Sequence, residues 1–298
     1  MTTLICGSSG YVGTMLSKEL LKKGRSHFLL ARALESKSKF QLIEVLAEQT
    51  EAKKIIAAGD LQSLIPKIAN LEIFHLVNLA GSTKKTEDLL AARDLVVSNV
   101  LFATELAILC IESGISNLIF SSTYSTSVGG RKYDPQTLYS ATKKATEDIL
   151  LYFARTKKFK LKILNLYDVY GPYSPHGKII NSLVDSLLNG ERIHMSQGVQ
   201  EISPIHIDDV TSALIASIDN IQIEDYSHFD LYGPEVMRVR DLPEKIEIAL
   251  NKFWKDDQLI FDLPTRAREI LKFEPQYGLP SFWEPQIHFN SGIKSFLN

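Results

Sequence analysis

Only two of the 298 residues are cysteines, Cys6 and Cys110, and they stand far apart in the chain. A chain of this length buries about 75% of its unfolded surface and needs no covalent staples. So few thiols fit a reducing compartment and exclude a disulfide framework or a cysteine-built zinc site. Charge excess of either sign is missing too: 33 Lys and Arg stand against 35 Asp and Glu, a net of −2. Without a basic face the chain is not expected to bind nucleic acid. The longest apolar stretch, Leu95 to Ile111, is interrupted by Ser98, Asn99, Thr104 and Glu105, and reads as a buried helix of a soluble protein, not a membrane span. No basic segment precedes the apolar residues after Met1, so no secretory signal is expected and the expected location is cytoplasmic. Repeats and low-complexity segments are lacking. The seven histidines show no metal-ligand spacing, so no metal is expected.

What the sequence does have is alternation. Thr3–Cys6, Phe28–Ala31, Ile55–Ala57, Ile73–Leu79, Asn117–Ser121 and Lys160–Leu166 are short apolar runs with strand character. Between them, Gly13–Lys23, Phe40–Glu48, Asp88–Ser113 and Tyr139–Lys157 carry apolar residues at helical spacing. Strands alternating with helices imply βαβ units and a parallel sheet covered on both faces. The regularity fades after the turn-rich segment Tyr170-Gly-Pro-Tyr-Ser-Pro-His-Gly177. The expected organisation is α/β: a Rossmann-type doubly wound parallel sheet over residues 1–170, carrying the cofactor and the catalytic groups. Residues 171–298 would be mainly a smaller substrate-binding cap, with some segments returning to the core.

Gly7-Ser-Ser-Gly10-Tyr-Val-Gly13 follows the first strand and opens a helix. Glycines there permit a tight turn, close approach of the backbone to a pyrophosphate, and close packing of helix on strand. The helix N-terminus adds free N–H groups and a favourable dipole for phosphates. The second strand ends Ala31-Arg32, where an acid would bind the free ribose diol of NAD. Arg32 suits a 2′-phosphate instead, which favours NADP over NAD, although Glu35 stands close enough to serve as the acid.

Tyr139-Ser-Ala-Thr-Lys143 places a phenol and an ammonium four residues apart, on one face of a helix. A free tyrosine has a pKa near 10, too high for efficient proton exchange at neutral pH, and a neighbouring cation lowers it. Upstream, an apolar strand ends Phe120-Ser-Ser-Thr123, which puts hydroxyl groups at the carboxyl edge of the sheet, where open α/β folds bind ligands. Hydroxyl, phenol and ammonium together make a proton relay.

These residues resemble the extended short-chain dehydrogenase/reductases, the NAD(P)-dependent epimerases and dehydratases that act on nucleotide sugars. The likeness runs through nearly the whole chain. Besides the glycine loop, the hydroxyl strand and the Tyr–Lys pair, it includes Gly59-Asp-Leu61, Leu76-Val-Asn-Leu-Ala-Gly81, Asn99-Val100, Leu166-Tyr-Asp-Val-Tyr-Gly-Pro172, Ile205-His-Ile-Asp-Asp-Val210, Phe229-Asp-Leu-Tyr-Gly-Pro234 and Arg266–Pro275. The resemblance implies that Thr123, Tyr139 and Lys143 are catalytic. It implies that Gly7, Ser9, Gly10, Tyr11, Val12, Gly13 and Arg32 bind the cofactor. Asp60 and Leu61 would meet its adenine, and Leu79, Ala80 and Gly81 its ribose. Asn99, Ser121 and Tyr167 would complete that site with Tyr139 and Lys143. Thr83, Thr123, Tyr124, Asp168, His176 and Arg192 would face the sugar nucleotide. A homodimer through the helices of Asn99–Ser113 and Tyr139–Lys157 is implied as well.

The chain departs from the family pattern at informative places. Asn165 stands for an Arg and Asp168 for an Asn in R-x-F-N-V-Y-G-P. Ile202 occupies the place of a diphosphate-binding Arg, which leaves Arg192, Lys178 or Arg240 for that task. Dehydratases of the family carry an Asp-Glu pair after the catalytic Thr, where this chain has Tyr124-Ser125. Loss of that acid and base argues against water elimination. The expected activity is an NADPH-dependent reduction of a nucleotide-linked 4-keto-6-deoxy sugar (dTDP-, CDP- or GDP-linked), a step of deoxysugar and lipopolysaccharide synthesis. The alternatives are an NAD-retaining 4-epimerase and, in another class, a non-catalytic NADP sensor.

Overall fold

The computed structural model describes residues 2–32, 39–46, 53–84, 86–127, 131, 133–175, 177–220, 224–265 and 268–297. The first half runs β1 (Thr2–Cys6), α1 (Tyr11–Lys22), β2 (His27–Arg32), β3 (Phe40–Val45), β4 (Lys53–Gly59), α2 (Leu61–Ala69) and β5 (Ile73–Asn78). A long helical run follows, made of α3 (Leu89–Leu95), a π-helical segment Val96–Leu101 and α4 (Phe102–Glu112). Then come β6 (Asn117–Thr123), α5 (Leu138–Arg155) and β7 (Lys160–Leu166). The second half contains β8 (Val169–Tyr170), α6 (Ile179–Asn189), β9 (Ile193–His194), β10 (Glu201–Ile202), β11 (Ile205–His206), α7 (Ile207–Asp219), β12 (Tyr226–Leu231), β13 (Met237–Arg238), α8 (Leu242–Leu250), β14 (Leu259–Ile260) and α9 (Phe289–Lys294).

The main sheet has the order β12-β7-β6-β5-β1-β2-β3-β4. Its first six strands pair in parallel, and β3 and β4 extend it antiparallel. Side-chain alternation sorts the strands between two cores, as a sheet covered on both faces requires. Leu4 and Cys6 join Leu106 and Leu150 on one face, while Ile5 joins Leu16, Leu20 and Leu214 on the other. A third cluster, built on Leu183 and Val184 of α6 and Leu242 and Ile246 of α8, is the core of the smaller C-terminal lobe. β12 and α7 come from the second half of the chain but pack into the sheet layers.

Phe40–Glu48, expected as a helix, is the strand β3 over Phe40–Val45; Glu48 lies outside the described residues. Both faces of this strand are covered. Phe40 and Leu42 enter one core, and Ile43 and Val45 pack against the other. Apolar residues at 40, 42, 43 and 45 therefore satisfy a two-sided strand, although the 40–43 spacing also matches a helical turn. The helical run Leu89–Glu112 is long and apolar enough to cross a membrane by length and composition. Here Leu95, Phe102, Leu106 and Cys110 are buried in the protein core. Both cysteines are buried free thiols, and burial pushes Cys6 up to about 12.

Candidate active site

β1 and β5 are neighbours whose following helices cover opposite faces, so a crevice opens beyond their carboxyl ends. The glycine loop fills the β1 side of that crevice. Gly7 has φ 85°, a region that favours glycine, and a Cβ there would lie 2.5 Å from the Ala80 nitrogen. A Cβ on Gly13 would lie 2.3 Å from the Gly7 carbonyl oxygen. Gly10 caps α1 without a side-chain bond, so the N–H groups of the first turn, at Tyr11, Val12 and Gly13, have no capping side chain. Ser9 lies in the same exposed loop. Tyr11 ties the loop to the second half of the chain by donating to the Pro172 carbonyl at 2.9 Å.

On the β5 side, Leu79 donates to the Cys6 carbonyl at 2.9 Å, and Ala80 to Asn78 Oδ1 at 3.1 Å. Gly81 is needed because a Cβ would lie 2.8 Å from Asn99 Oδ1 and 3.4 Å from Lys143 Nζ. Asn99 sits in the π-helical segment, a distortion often found at functional sites. Its amide is fully engaged: Oδ1 accepts from Ser82 N, and Nδ2 donates to the Ser82 carbonyl and to Thr142 Oγ1. Asn99 thus fixes the turn that carries Ala80 and Gly81. Thr83 follows on the exposed part of the segment.

Arg32 ends β2, is exposed, and has no ion-pair partner among the described residues. β2 runs parallel to β1 with Leu30 opposite Cys6, so Arg32 lies at the same sheet edge as the glycine loop. Glu35 lies outside the described residues. Asp60 is the N-cap of α2 and accepts from Ser63 N at 2.8 Å, with Leu61 the first helical residue. A tight glycine cradle and an uncapped helix N-terminus fit the pyrophosphate of a dinucleotide.

The catalytic candidates meet between β6 and α5. A capping box of Thr137 and Ser140 starts α5, so Tyr139 stands in the first turn and Lys143 one turn on. Lys143 Nζ donates to the Ser121 carbonyl at 2.9 Å and lies 4.7 Å from the centre of the Phe120 ring. Burial lowers Lys143 to about 8, against the opposing pull of Glu147. Burial raises Tyr139 to about 12, and its hydroxyl has no partner among the described residues. The sequence leads one to expect Lys143 to lower the phenol; in the cofactor-free protein burial is the cause that acts, and it raises the phenol, so Tyr139 is the neutral, proton-donating form at pH 7. The hydroxyls of β6 divide by face. Ser121 Oγ donates to the Asn78 carbonyl at 3.2 Å, Ser122 bonds the buried Glu147, and Thr123 Oγ1 lies 3.1 Å from Ser125 Oγ.

Beyond Thr123 lies an open cleft whose lining includes Tyr124, Ser127, Tyr167, Asp168 and Phe273. Tyr124 stacks on Tyr167 at 4.6 Å, and Tyr167 meets Phe273 edge-on at 5.4 Å. The Tyr124 hydroxyl donates to Asp168 Oδ1 at 3.3 Å. Burial raises the Asp168 carboxyl, against the pull of the Lys178 ammonium. Tyr124, Tyr167 and Asp168 therefore come together as one wall. Arg192 is not among the residues lining this cleft: it is exposed and paired with Asp257, while Arg240 lies 3.7 Å from Asp241. His176 lies outside the described residues.

Lys272, Phe273, Glu201 and Gln276 line the cleft and escape sequence reasoning. Lys272 and Phe273 lie inside the motif Arg266–Pro275, but nothing in its spacing says that its end folds against Asp168. Asn165, in place of the family's Arg, donates to Asp230 Oδ1 at 2.9 Å and bonds His228 at 3.0 Å. Amide and imidazole bonds thus hold this position, and burial holds His228 down at about 3.

The model of the NAD dependent epimerase/dehydratase family matches residues 3–231. CDP-abequose synthase of Yersinia pseudotuberculosis is 24% identical over 81% of this chain and 82% of its own. UDP-glucuronate 4-epimerase 5 of Arabidopsis thaliana is also 24% identical, over 100% of this chain and 74% of its own. Among solved structures, MoeE5 in complex with UDP-glucuronic acid and NAD superposes with a TM-score of 0.80 at 19% identity, over 98% of this chain and 96% of that one. The UDP-glucose 4-epimerase of Thermotoga maritima with UDP-glucose gives 0.79 at 19% identity, over 100% and 97%. These superpositions carry the fold, and the family match carries the membership. From the glycine loop through the Tyr–Lys helix to β12, this chain belongs to the NAD dependent epimerase/dehydratase family.

Proposed function

We propose that this chain modifies a nucleotide sugar, as an NADPH-dependent reductase of a nucleotide-linked 4-keto-6-deoxy sugar in deoxysugar and surface-polysaccharide synthesis. Arg32 is the observation that carries the reductase reading. An exposed guanidinium at the glycine-loop edge of the sheet, with no ion-pair partner among the described residues, suits a 2′-phosphate, and a cofactor consumed in each turnover must exchange. When bound, the dinucleotide supplies the hydride. Tyr139, neutral at pH 7, gives its proton to the sugar carbonyl oxygen. Thr123 positions that oxygen through a hydrogen bond, and Lys143 holds the cofactor ribose against Ser121. A relative named CDP-abequose synthase and the lack of an acid–base pair after Thr123 support this reading.

The second reading is a 4-epimerase that retains NAD. Relatives named UDP-glucuronate 4-epimerase and structural neighbours holding NAD favour it. Cofactor content of the purified protein, followed by NADPH oxidation against a panel of dTDP-, CDP-, GDP- and UDP-linked keto sugars, separates the two. Exchangeable NADPH with turnover supports the reductase, and tightly held NAD supports the epimerase. A charge-assisted contact contributes about 1.5–3 kcal/mol. Arg32→Ala is therefore expected to weaken NADPH binding about 10- to 150-fold and to leave NADH binding unchanged. Wild-type preference for NADH in the same titration reverses the ranking.

We also propose a homodimer. Val97 and Leu101, on the π-helical segment, and Tyr152 on α5 are 46%, 51% and 63% exposed, an apolar surface across two adjacent helices. Light scattering is expected to give twice the chain mass, and Val97→Glu with Leu101→Glu to give the single chain mass. A monomeric wild type refutes the dimer.

A further inference from the structure

Among the described residues, two buried polar atoms lining the cleft lack partners: Oδ2 of Asp168 and Nε2 of Gln276. Their neighbours are satisfied. Asp168 Oδ1 takes the Tyr124 hydroxyl, Asp230 Oδ1 takes Asn165 Nδ2, and Asp230 Oδ2 takes the Tyr277 nitrogen at 2.7 Å. A buried acceptor and a buried donor left without partners in one cleft call for an explanation, and a bound ligand supplies one. The charge around them has one dominant sign. Asp168, Glu201, Asp230 and Glu274 line the cleft, and Lys272 is the one cationic residue of the lining among the described residues. The aromatic wall of Tyr124, Tyr167 and Phe273 offers a flat apolar surface next to this polar pair.

We propose that Asp168 and Gln276 are the specificity-determining pair for the sugar. Asp168 Oδ2 accepts from a hydroxyl or amino group, Gln276 Nε2 donates to a sugar oxygen, and the carboxyl-rich lining rejects sugars that carry a carboxylate. The substrate class is thus a nucleotide-linked neutral or amino sugar and not a uronate. The inference rests on the nucleotide-sugar reading above. It gives a use to the replacement of the family's Asn by Asp168: an amide accepts either kind of sugar, whereas a carboxyl group set among others repels a second carboxylate.

The test is calorimetric titration of the protein with the glucose and glucuronate forms of UDP-, dTDP- and CDP-linked sugars. Wild type is expected to bind the glucose form of its preferred nucleotide at least about tenfold more tightly than the glucuronate form. Asp168→Asn is expected to shrink that ratio to about threefold or less, and Gln276→Leu to weaken both forms about fivefold with the ratio unchanged. A ratio unaltered by Asp168→Asn overturns the role of Asp168 and leaves the nucleotide-sugar reading standing. Equal effects of Gln276→Leu and wild type overturn the role of Gln276. Wild-type preference for glucuronate overturns the proposal without recourse to any variant. Failure to bind any of the six ligands, or their GDP-linked counterparts in the same titration, removes the nucleotide-sugar reading, and the proposal falls with it.

Discussion

Tyr139→Phe is expected to lower kcat by about 10²–10⁴-fold, the usual contribution of a positioned general acid. The hydroxyl is the only part of the side chain removed. Its hydroxyl has no partner among the described residues, so its loss strands no buried donor or acceptor. Folding stability is expected to stay within about 1 kcal/mol of wild type, as for most substitutions that break no named interaction. Cofactor affinity, read by fluorescence titration of NADPH, is expected to change less than about threefold, because the glycine cradle and Lys143 are untouched. The neutral form of the phenol gives a further signature. Burial holds Tyr139 near 12, so in the cofactor-free protein the proton is present throughout the neutral range. A fall in wild-type turnover at high pH then reports a group that loses its proton, and the Phe variant lacks that contribution. Near-wild-type turnover of the Phe variant removes Tyr139 from the reaction.

The glycine loop was legible because its demands are local: a positive φ at Gly7 and a helix starting within four residues are written in consecutive positions. The same holds for the Tyr–Lys helix, where a four-residue spacing fixes a common face. Five of the six parallel strands were legible because each is a short apolar run between helical patterns; β12, with Ser227, His228 and Asp230 along it, was not. β3 was not, since a strand buried on both faces loses the simple alternation that marks one buried face. The cleft was the least legible part. Asp168 and Gln276 are 108 positions apart and meet only because the segment after β14 folds back across β12; no periodicity encodes that return. Nor does the sequence reveal that burial raises the Tyr139 phenol, because that depends on how deeply α5 is set against β6.

Lys143→Met is expected to lower kcat by about 10²-fold or more and to weaken NADPH binding, since one ammonium serves both the phenol and the cofactor ribose. The same variant carries a stability signature opposite to the activity loss. Lys143 is 4% exposed, and burial lowers it from 10.5 to about 8. Between those two values the unfolded chain holds a proton that the folded chain has released. Raising the pH through this window therefore stabilises the fold. Below about pH 8 the folded protein bears the whole cost of a buried ammonium, about 3 kcal/mol at 1.36 kcal/mol per pKa unit. Methionine has no such cost, although it leaves the Ser121 carbonyl without its donor. The sharp observable is the difference in pH dependence. From pH 8 to 10.5, wild type is expected to gain about 3 kcal/mol on the variant in denaturant melts of cofactor-free protein. Lys162, also lowered to about 8 by burial, is present in both proteins and cancels in that difference. Parallel stability curves together with unchanged turnover would make Lys143 an ordinary helix residue. A converging pair of curves, with turnover lost, marks an ammonium held in the site at the expense of stability because the reaction requires it there.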